Sequence, residues 1–506
     1  MSSNTNTKRI AKNTLMLYFR QILIMLVMLY TVRVVLNILG AEDYGIYNVV
    51  AGLVSMFSFL SGAMATASQR FFSYEIGRND QVRLKQIFSL TVTVYALLAI
   101  IVVIVSETAG LWFVETQLTI PPERMAAARI VFQFSLLAFV VTILTTPYLA
   151  AIIAHEEMNI YAYVSIFEVV ILLVLVSLLK FCVIDSLILY SIITFSVKLL
   201  VSLLYIIVCT HKFRECRYSF YWDTKRFREL FSYVGWNLFG SAAGVVRSHG
   251  VNVVLNIFFG PVVNAAAAIA NQVNAAVKSF AQNFTTAVRP QIIKNYAADD
   301  ITSMIRLVYA SSKATFFLLF IFVLPLTLEM PFILGLWLKN PPEYAVLFTR
   351  LILIDALIDS VSYPLMTAAQ ATGKIKLYQS VVGGILLLNI PISIIFLLLN
   401  FSPTSVFVIT LLLTFSAFIA RMFILKLLIP FSIKDFIFTV WIPMGLCFLL
   451  SSILPISIYM TVPYPFVRLL INLGLVSLTS LLLVYFIALS AEERDLVLTK
   501  LKKVKK

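Results

Sequence analysis

Long apolar runs separated by short polar segments make up almost the whole chain. Many runs hold about 18 or more apolar residues, the length that a helix needs to cross the hydrocarbon core of a membrane. The runs must be helical, because backbone polar groups in contact with lipid have to be satisfied within their own segment. The pattern predicts an all-α, polytopic membrane protein with about fourteen spans, at residues 14–39, 44–67, 87–106, 125–152, 161–180, 186–210, 232–259, 262–289, 311–336, 345–371, 379–399, 404–428, 437–459 and 466–488.

The first six spans and the next six carry similar sequences in the same order. Val-Val-Leu-Asn-Ile begins at Val34 and again at Val253, 219 residues later. Chance matches of five apolar residues are common in such a chain, but several further matches keep nearly the same offset. They are Arg70 with Arg289, Asp80 with Asp299, Pro147 with Pro364, Ala154 with Ala371 and Tyr161 with Tyr378.

The repeat predicts two six-helix lobes, at residues 1–210 and 232–430. Each copy has an even number of spans, so both enter the membrane in the same direction and an axis along the membrane normal should relate them. Residues 211–231 form a linker whose interleaved aromatic and basic residues suit either the membrane surface or a solvated loop. Residues 431–506 add two accessory helices and a basic tail.

Composition and charge agree with a membrane protein. Of the 506 residues, 61% are hydrophobic and 12% are charged, whereas soluble domains have roughly a quarter charged. Lys and Arg collect in the termini and in alternate loops, which predicts that both termini are cytoplasmic. The net charge of +15 therefore needs no nucleic acid to explain it, because basic loops are attracted to anionic headgroups.

Polar residues recur at helical spacing along the eighth span. A polar stripe on a lipid-facing surface would be costly, so it should either line a cavity or form a seam against a neighbouring helix. We predict that it lines a substrate cavity with Asn271, Asn274, Lys278 and Gln282.

The first span of each copy carries a second polar face. Arg33 and Asn37 lie four residues apart and share a face; the repeat places them on Asn252 and Asn256. Arg247 and His249 precede this pair in the second copy. Guanidinium groups suit a diphosphate because their planar fork binds two oxygens. We predict that these six residues bind substrate; the alternative for Arg33 is a snorkelling residue near the outer surface.

Acidic residues are fewer within the spans. Asp355 and Asp359 lie four residues apart on one face of the tenth span. They are expected either to pair with Arg247 or Lys278 or to bind a coupling proton or Na⁺, and Glu168 is a further ion-coupling candidate. No metal spacing and no cofactor motif is found. Lys198, Lys313 and Arg421 are intramembrane bases whose facing the sequence leaves open.

Several segments resemble one family. "RVVLNILGAEDYGIYNVV", "SQRFFSYEIGR", "IPPERMAAARIV" and "PYLAAIIAHEEMNIYAYVS" are similar to the polysaccharide-flippase branch of the multidrug/oligosaccharidyl-lipid/polysaccharide exporter superfamily. The resemblance implies two lobes around a central cavity that opens alternately to each side. It implies a bacterial inner-membrane location and a cargo of polyprenyl-diphosphate-linked oligosaccharide. Membrane lipids, a polysaccharide polymerase and glycosyltransferases are the implied partners.

Two other transport functions stay open. Bacterial cation-driven drug exporters of the superfamily often hold an acid in the first helix, where this chain has Arg20 and Arg33. A peptidoglycan-precursor flippase would also have fourteen helices and a basic cavity. A membrane enzyme is excluded, because the chain has no sizeable outer loop, phosphate-binding glycine loop, metal-binding His pair or nucleophile elbow.

Overall fold

The fold was analysed in a computed structural model that describes residues 3–55, 57–116, 118, 120–181, 185–338, 341–488 and 494. Within that range, the side chains at 3–8, 29, 36, 41, 42, 55, 248, 249 and 261 lie outside the description. All regular structure in the described residues is helical, and they contain no β-strand. The predicted all-α fold class is confirmed.

The chain divides into two compact units, and the first comprises Arg9–Ser241. Its helices begin with a long bent helix and continue to the start of a longer bent helix that passes into the second unit. They are α1 (Ser3–Ser55), α2 (Ser58–Gly77), α3 (Gln81–Val105), α4 (Leu111–Thr116), α5 (Met125–Ala154), α6 (Met158–Leu178), α7 (Ser186–Lys212) and α8 (Thr224–Ala297).

The second unit contains the described residues from Ala242 onward. After α8 its helices are α9 (Ile301–Leu328), α10 (Met330–Leu338), α11 (Ala345–Ser360), α12 (Ser362–Ala371), α13 (Ile375–Leu387), α14 (Asn389–Leu398), α15 (Thr404–Leu428), α16 (Ile433–Phe436), α17 (Ile442–Thr461) and α18 (Pro465–Leu483). The accessory helices α17 and α18 pack against each other and against α9. The predicted limits of the lobes, the linker and the tail stay predictions.

Eleven helices of the described residues are long and apolar enough to cross a membrane, or twelve if the bent pair Asp43–Val54 and Ser58–Gly77 is one span. Two further predicted spans, 262–289 and 345–371, are also helical. The first carries the polar stripe, and the second is divided between α11 and α12, each shorter than a span needs. The predicted count of fourteen is therefore compatible with the structure, although at most twelve of the described spans are both long enough and apolar enough to cross a membrane.

Both copies of the Val-Val-Leu-Asn-Ile sequence are followed, two and three residues later, by a glycine that breaks the helix. Gly40 has φ 75° and ψ 174° within α1, and Gly260 has φ 78° and ψ −170° within α8. This region of backbone conformation is essentially restricted to glycine, because a Cβ atom would clash there. The repeat in sequence is thus a repeat in backbone geometry.

The helix caps give the register of the repeat. Asp80 and Asp300 cap α3 and α9, and each accepts a backbone hydrogen bond within the first turn, at 2.9 and 3.0 Å. The preceding residues, Asn79 and Asp299, both have positive φ. Asp80 therefore corresponds to Asp300, and the predicted match with Asp299 is wrong by one residue, because the second copy has one extra residue before Gly260.

The fourth predicted span of the second copy is broken just before Pro364. Proline has no N–H for the carbonyl four residues earlier, which leaves the oxygen of Ser360 without its helical partner. That oxygen accepts a hydrogen bond from the Thr315 hydroxyl (3.0 Å), and the Val361 oxygen accepts one from Ser312 (3.1 Å). Side chains of α9 thus satisfy the freed carbonyls inside the unit, as a membrane interior requires.

The linker is attached to the first unit. The Glu215 carboxylate contacts His155 Nε2 at 2.5 Å, and the His155 ring stacks on Phe213 with ring centroids 4.2 Å apart. Burial raises the pKa of Glu215. The hydrogen bond with His155, a backbone hydrogen bond and the charge of His155 together lower the pKa by a larger amount, so that it lies below its ordinary value. Tyr218 and Phe220 are exposed, so the membrane surface and a solvated loop both stay open for this segment.

Candidate functional site

A cavity of about 270 Å³ lies within the second unit, among α8, α11, α12, α13 and α15. Both halves of α8 reach it, because the helix turns at Gly260: Arg247 precedes the break and Lys278 follows it. Asp355 and Asp359 of α11 and Arg421 of α15 complete its charged lining. Five charged groups from three helices, α8, α11 and α15, therefore meet in one small space.

Arg247 is held by a two-part anchor. Its Nη2 atom donates to both carboxylate oxygens of Asp355, at 2.9 and 3.0 Å, and to the Thr414 hydroxyl at 2.7 Å. The Thr414 hydroxyl in turn donates to Asp355. Within the described part of the chain, all the hydrogen bonds of Arg247 use Nη2, so the N–H groups of Nε and Nη1 remain as separate donors for a ligand.

The second carboxylate bridges two other cations. Asp359 lies 3.4 Å from Lys278 Nζ and 3.5 Å from Arg421 Nη1. Arg421 Nε donates to the Tyr378 hydroxyl at 3.1 Å, which fixes the position of the guanidinium. Lys278 also reaches Asp355, at 3.9 Å.

The charges around the cavity do not cancel. Three cations face two carboxylates, so the group carries one net positive charge when every member is ionised. Charges interact more strongly in a low-dielectric interior than in water, and a buried excess charge is unfavourable unless a counter-ion compensates it. The arrangement therefore favours an anionic ligand over a cationic one.

The polar stripe of α8 reaches the cavity only in part. Asn271, Asn274 and Lys278 line it, and Asn271 Nδ2 donates to Asn252 Oδ1 at 3.3 Å across the break in the helix. Gln282 is exposed and is not part of the lining.

Among the remaining candidates of the second unit, Asn252 and Asn256 are described and are not part of this lining. Asn256 is exposed, and the side chain of His249 lies outside the described residues. The part that each predicted residue has in binding stays a prediction.

The candidates of the first unit are arranged differently. Arg33 and Asn37 are exposed on α1. Glu168, a predicted ion-coupling residue, forms an ion pair with Lys198. A deeper base, Arg20, lies over the ring of Tyr161 at 4.3 Å from the ring centroid, which is within the range of a cation–π interaction.

Sequence reasoning leaves Arg421 of the lining and its partner Tyr378 without a role, and it misses Thr414, the partner of Arg247. From the sequence, Arg421 is an intramembrane base whose orientation is open, and Tyr378 is only the repeat counterpart of Tyr161. In both units the repeat tyrosine contacts an arginine, Arg20 or Arg421, so the repeat contained a usable signal. Thr414 gave no signal, because an isolated threonine in an apolar helix usually bonds its own backbone.

The helical fold defines a polytopic membrane protein, and its described residues enclose a charged cavity in the second unit. The chain belongs to the polysaccharide biosynthesis protein family, whose model matches residues 10–296. Its place among the multidrug/oligosaccharidyl-lipid/polysaccharide exporters, expected from the quoted segments, is confirmed. This family and fold are those of transporters and not of enzymes.

Solved structures with a similar fold are MATE transporters. One in the bent conformation has a TM-score of 0.73 at 10% identity and covers 85% of this chain and 98% of its own. The MATE transporter ClbM in complex with Rb⁺ has a TM-score of 0.69 at 15% identity, and the match covers 84% of this chain and 96% of ClbM. The bent form of VcmN from Vibrio cholerae has a TM-score of 0.68 at 15% identity, and the match covers 83% of this chain and 97% of VcmN. No protein with a curated description matches the sequence.

Proposed function

We propose that this transporter flips a polyprenyl-diphosphate-linked oligosaccharide, the repeat unit of an O-antigen, capsule or exopolysaccharide, across the bacterial inner membrane by alternating access. Membership of the polysaccharide biosynthesis family supports a glycan cargo. The MATE-like fold supports transport. Glycosyltransferases would supply the cargo on the cytoplasmic side, and a polysaccharide polymerase would use it on the other side.

The observation that carries the proposal is the excess of positive charge around the cavity of the second unit. A diphosphate diester carries about two negative charges near neutral pH and presents oxygens that suit paired guanidinium contacts. Arg247 offers its unused Nε and Nη1 donors, and Lys278 adds an ammonium group. Two asparagines nearby, Asn271 and Asn274, can donate hydrogen bonds to phosphate or sugar oxygens.

A cation-coupled drug exporter is the second candidate, and Asp355, Asp359 and Glu168 are the observation in its favour. Each of these carboxylates is already paired with a base, and a cationic drug would meet a cavity of net positive charge. We therefore assign these acids to ion pairing, with coupling to a proton or Na⁺ gradient as an added hypothesis. Loss of glycan export when the gradients are dissipated would support coupling, and unchanged export would exclude it.

The first prediction tests the diphosphate role. Arg247→Ala and Lys278→Ala should each abolish surface glycan in cells that depend on this protein, because each removes a charge from the anion site. Arg247→Lys should be partly active, since it keeps the charge and loses the paired geometry. Surface glycan is measured by immunoblotting alongside protein abundance in the membrane.

Lys426→Ala is the matched control, because Lys426 is an exposed base on α15, outside the cavity lining. Normal glycan export by both alanine variants at wild-type abundance would show that the bases are structural and that the diphosphate role is wrong. Rescue of a strain lacking its peptidoglycan-precursor flippase would instead favour that related cargo.

A further inference from the structure

The two carboxylates of the cavity differ in how firmly they are held. Asp355 is 4% exposed in its side chain and is bound by Arg247 at 2.9 Å and by the Thr414 hydroxyl. Asp359 is 17% exposed, and its contacts with Lys278 and Arg421 are 3.4 and 3.5 Å long. Strong charge-assisted hydrogen bonds between these groups are about 2.7–2.9 Å long. Asp355 therefore has the shorter contacts with its bases, whereas Asp359 has longer ones and is the more exposed of the two carboxylates.

We propose that Asp359 is a built-in counter-anion that the diphosphate displaces from Lys278 and Arg421, and that Asp355 stays in place to position Arg247. This inference rests on the proposed function and assigns separate tasks to the two acids of the same site.

Charge balance explains why one acid has to give way. With both carboxylates in contact with the three cations, a bound diphosphate would change the group from one net positive to one net negative charge. Two carboxylates and a dianion competing for the same cations would repel one another in a low-dielectric site. Release of Asp359 leaves Lys278 and Arg421 to the phosphate oxygens, and the Tyr378 hydroxyl still holds Arg421.

Asp355 is the poorer candidate for release. To be released, Asp355 would have to leave both Arg247 Nη2 and the Thr414 hydroxyl. The guanidinium of Arg247 would then lose its carboxylate partner, and a buried charge without its partner is unfavourable. The hydrogen bonds of Asp355 with Arg247 both use one nitrogen, Nη2, so Asp355 can orient the guanidinium while the Nε and Nη1 donors bind ligand. Asp355 and Thr414 are thus positioning residues for Arg247.

The test is a calorimetric titration of the purified full-length protein in nanodiscs with inorganic diphosphate. Asp359→Asn should bind roughly tenfold more tightly than wild type, because the ligand no longer competes with an internal carboxylate. Asp355→Asn and Thr414→Val should bind more weakly, whereas Thr414→Ser, which keeps the hydroxyl, should resemble wild type. Asp435→Asn, which removes an exposed acid outside the cavity, is the control and should not change the affinity.

The signs of these changes separate displacement from other effects. Misfolding cannot produce the tighter binding expected of Asp359→Asn. If Asp359→Asn leaves the affinity unchanged or lowers it while wild type binds diphosphate, the inference is overturned and the proposed function stands. If Asp355→Asn also binds more tightly, overall charge alone governs affinity and the division of tasks is wrong.

A prenyl diphosphate completes the experiment. Farnesyl diphosphate carries the same group on an isoprenoid chain, so tighter binding than that of inorganic diphosphate identifies a lipid-borne source. If wild type and all variants bind neither compound, the proposed function itself fails together with the inference.

Discussion

Single charged residues inside the helical units are held by specific partners. Besides the cavity group, Glu329 at the end of α9 is almost fully buried, and Arg468 of α18 contacts both of its carboxylate oxygens. Arg468 also lies over the ring of Tyr459 at 4.3 Å. This pair fastens the accessory helix α18 to α9, because neither charge could remain there alone at low cost.

Glu329→Ala should destabilise the protein by about 3 kcal/mol, since it leaves the mostly buried guanidinium of Arg468 without its counter-ion. The measurement is the midpoint of thermal unfolding in detergent, followed by the reaction of buried cysteines such as Cys447 with a thiol-specific dye. Glu343→Ala, at an exposed acid, is the control. A midpoint equal to that of wild type would show that the pair does not secure α18.

Among the helical elements, the broken helices α1 and α8 connect the repeat to the site. The break at Gly260 returns the second half of α8 to the cavity that its first half already lines. Among the described residues, no heavy atom outside the local chain lies within 4 Å of a Cβ placed on Gly40 or Gly260. The restriction at both positions is therefore one of backbone conformation and not of space.

Gly40→Ala and Gly260→Ala should each cost about 1–3 kcal/mol of stability, because alanine is strained at these dihedral angles. Gly260→Ala should in addition weaken diphosphate binding, since Arg247 and Lys278 lie on opposite sides of the break. Gly445→Ala, in an ordinary helical position of α17 with open space around its Cβ, is expected to be neutral or slightly stabilising. Equal unfolding midpoints for all three variants would contradict this account.

For the whole molecule, the distribution of basic residues determines the expected orientation in the membrane. Arg78 and Arg83 lie exposed around the turn between α2 and α3, and Lys374 lies exposed between α12 and α13. Positively charged loops remain preferentially on the cytoplasmic side. We therefore expect both termini and these turns to be cytoplasmic and the segment around Glu343 to be outside.

A green fluorescent protein fused after Lys506 should fluoresce, because it folds in the cytoplasm and not after export through the general secretion route. Alkaline phosphatase inserted after Glu343 should be active, since it requires the oxidising compartment outside the inner membrane. The same phosphatase inserted after Asn79 is the matched comparison and should be inactive. The opposite pattern of activities would reverse the topology.

The sequence by itself determined the helical class, the positions of the helices, the repeat and the polar stripe with Asn271, Asn274 and Lys278. These features depend on hydrophobicity and on spacing within one segment, which local physics controls. The pairing of Arg247 with Asp355 was also foreseen, as one of two alternatives, because few acids are available to neutralise the intramembrane bases.

Tertiary structure decided the rest. The contact of Arg421 with Asp359 joins residues on different helices, and Thr414 acquires its role only because α15 packs against α11 beside Arg247. Gln282 continues the stripe of α8 in sequence and is nevertheless exposed. Helical periodicity fixes which residues share a face, but the neighbour of that face depends on packing between distant segments, which no local pattern contains.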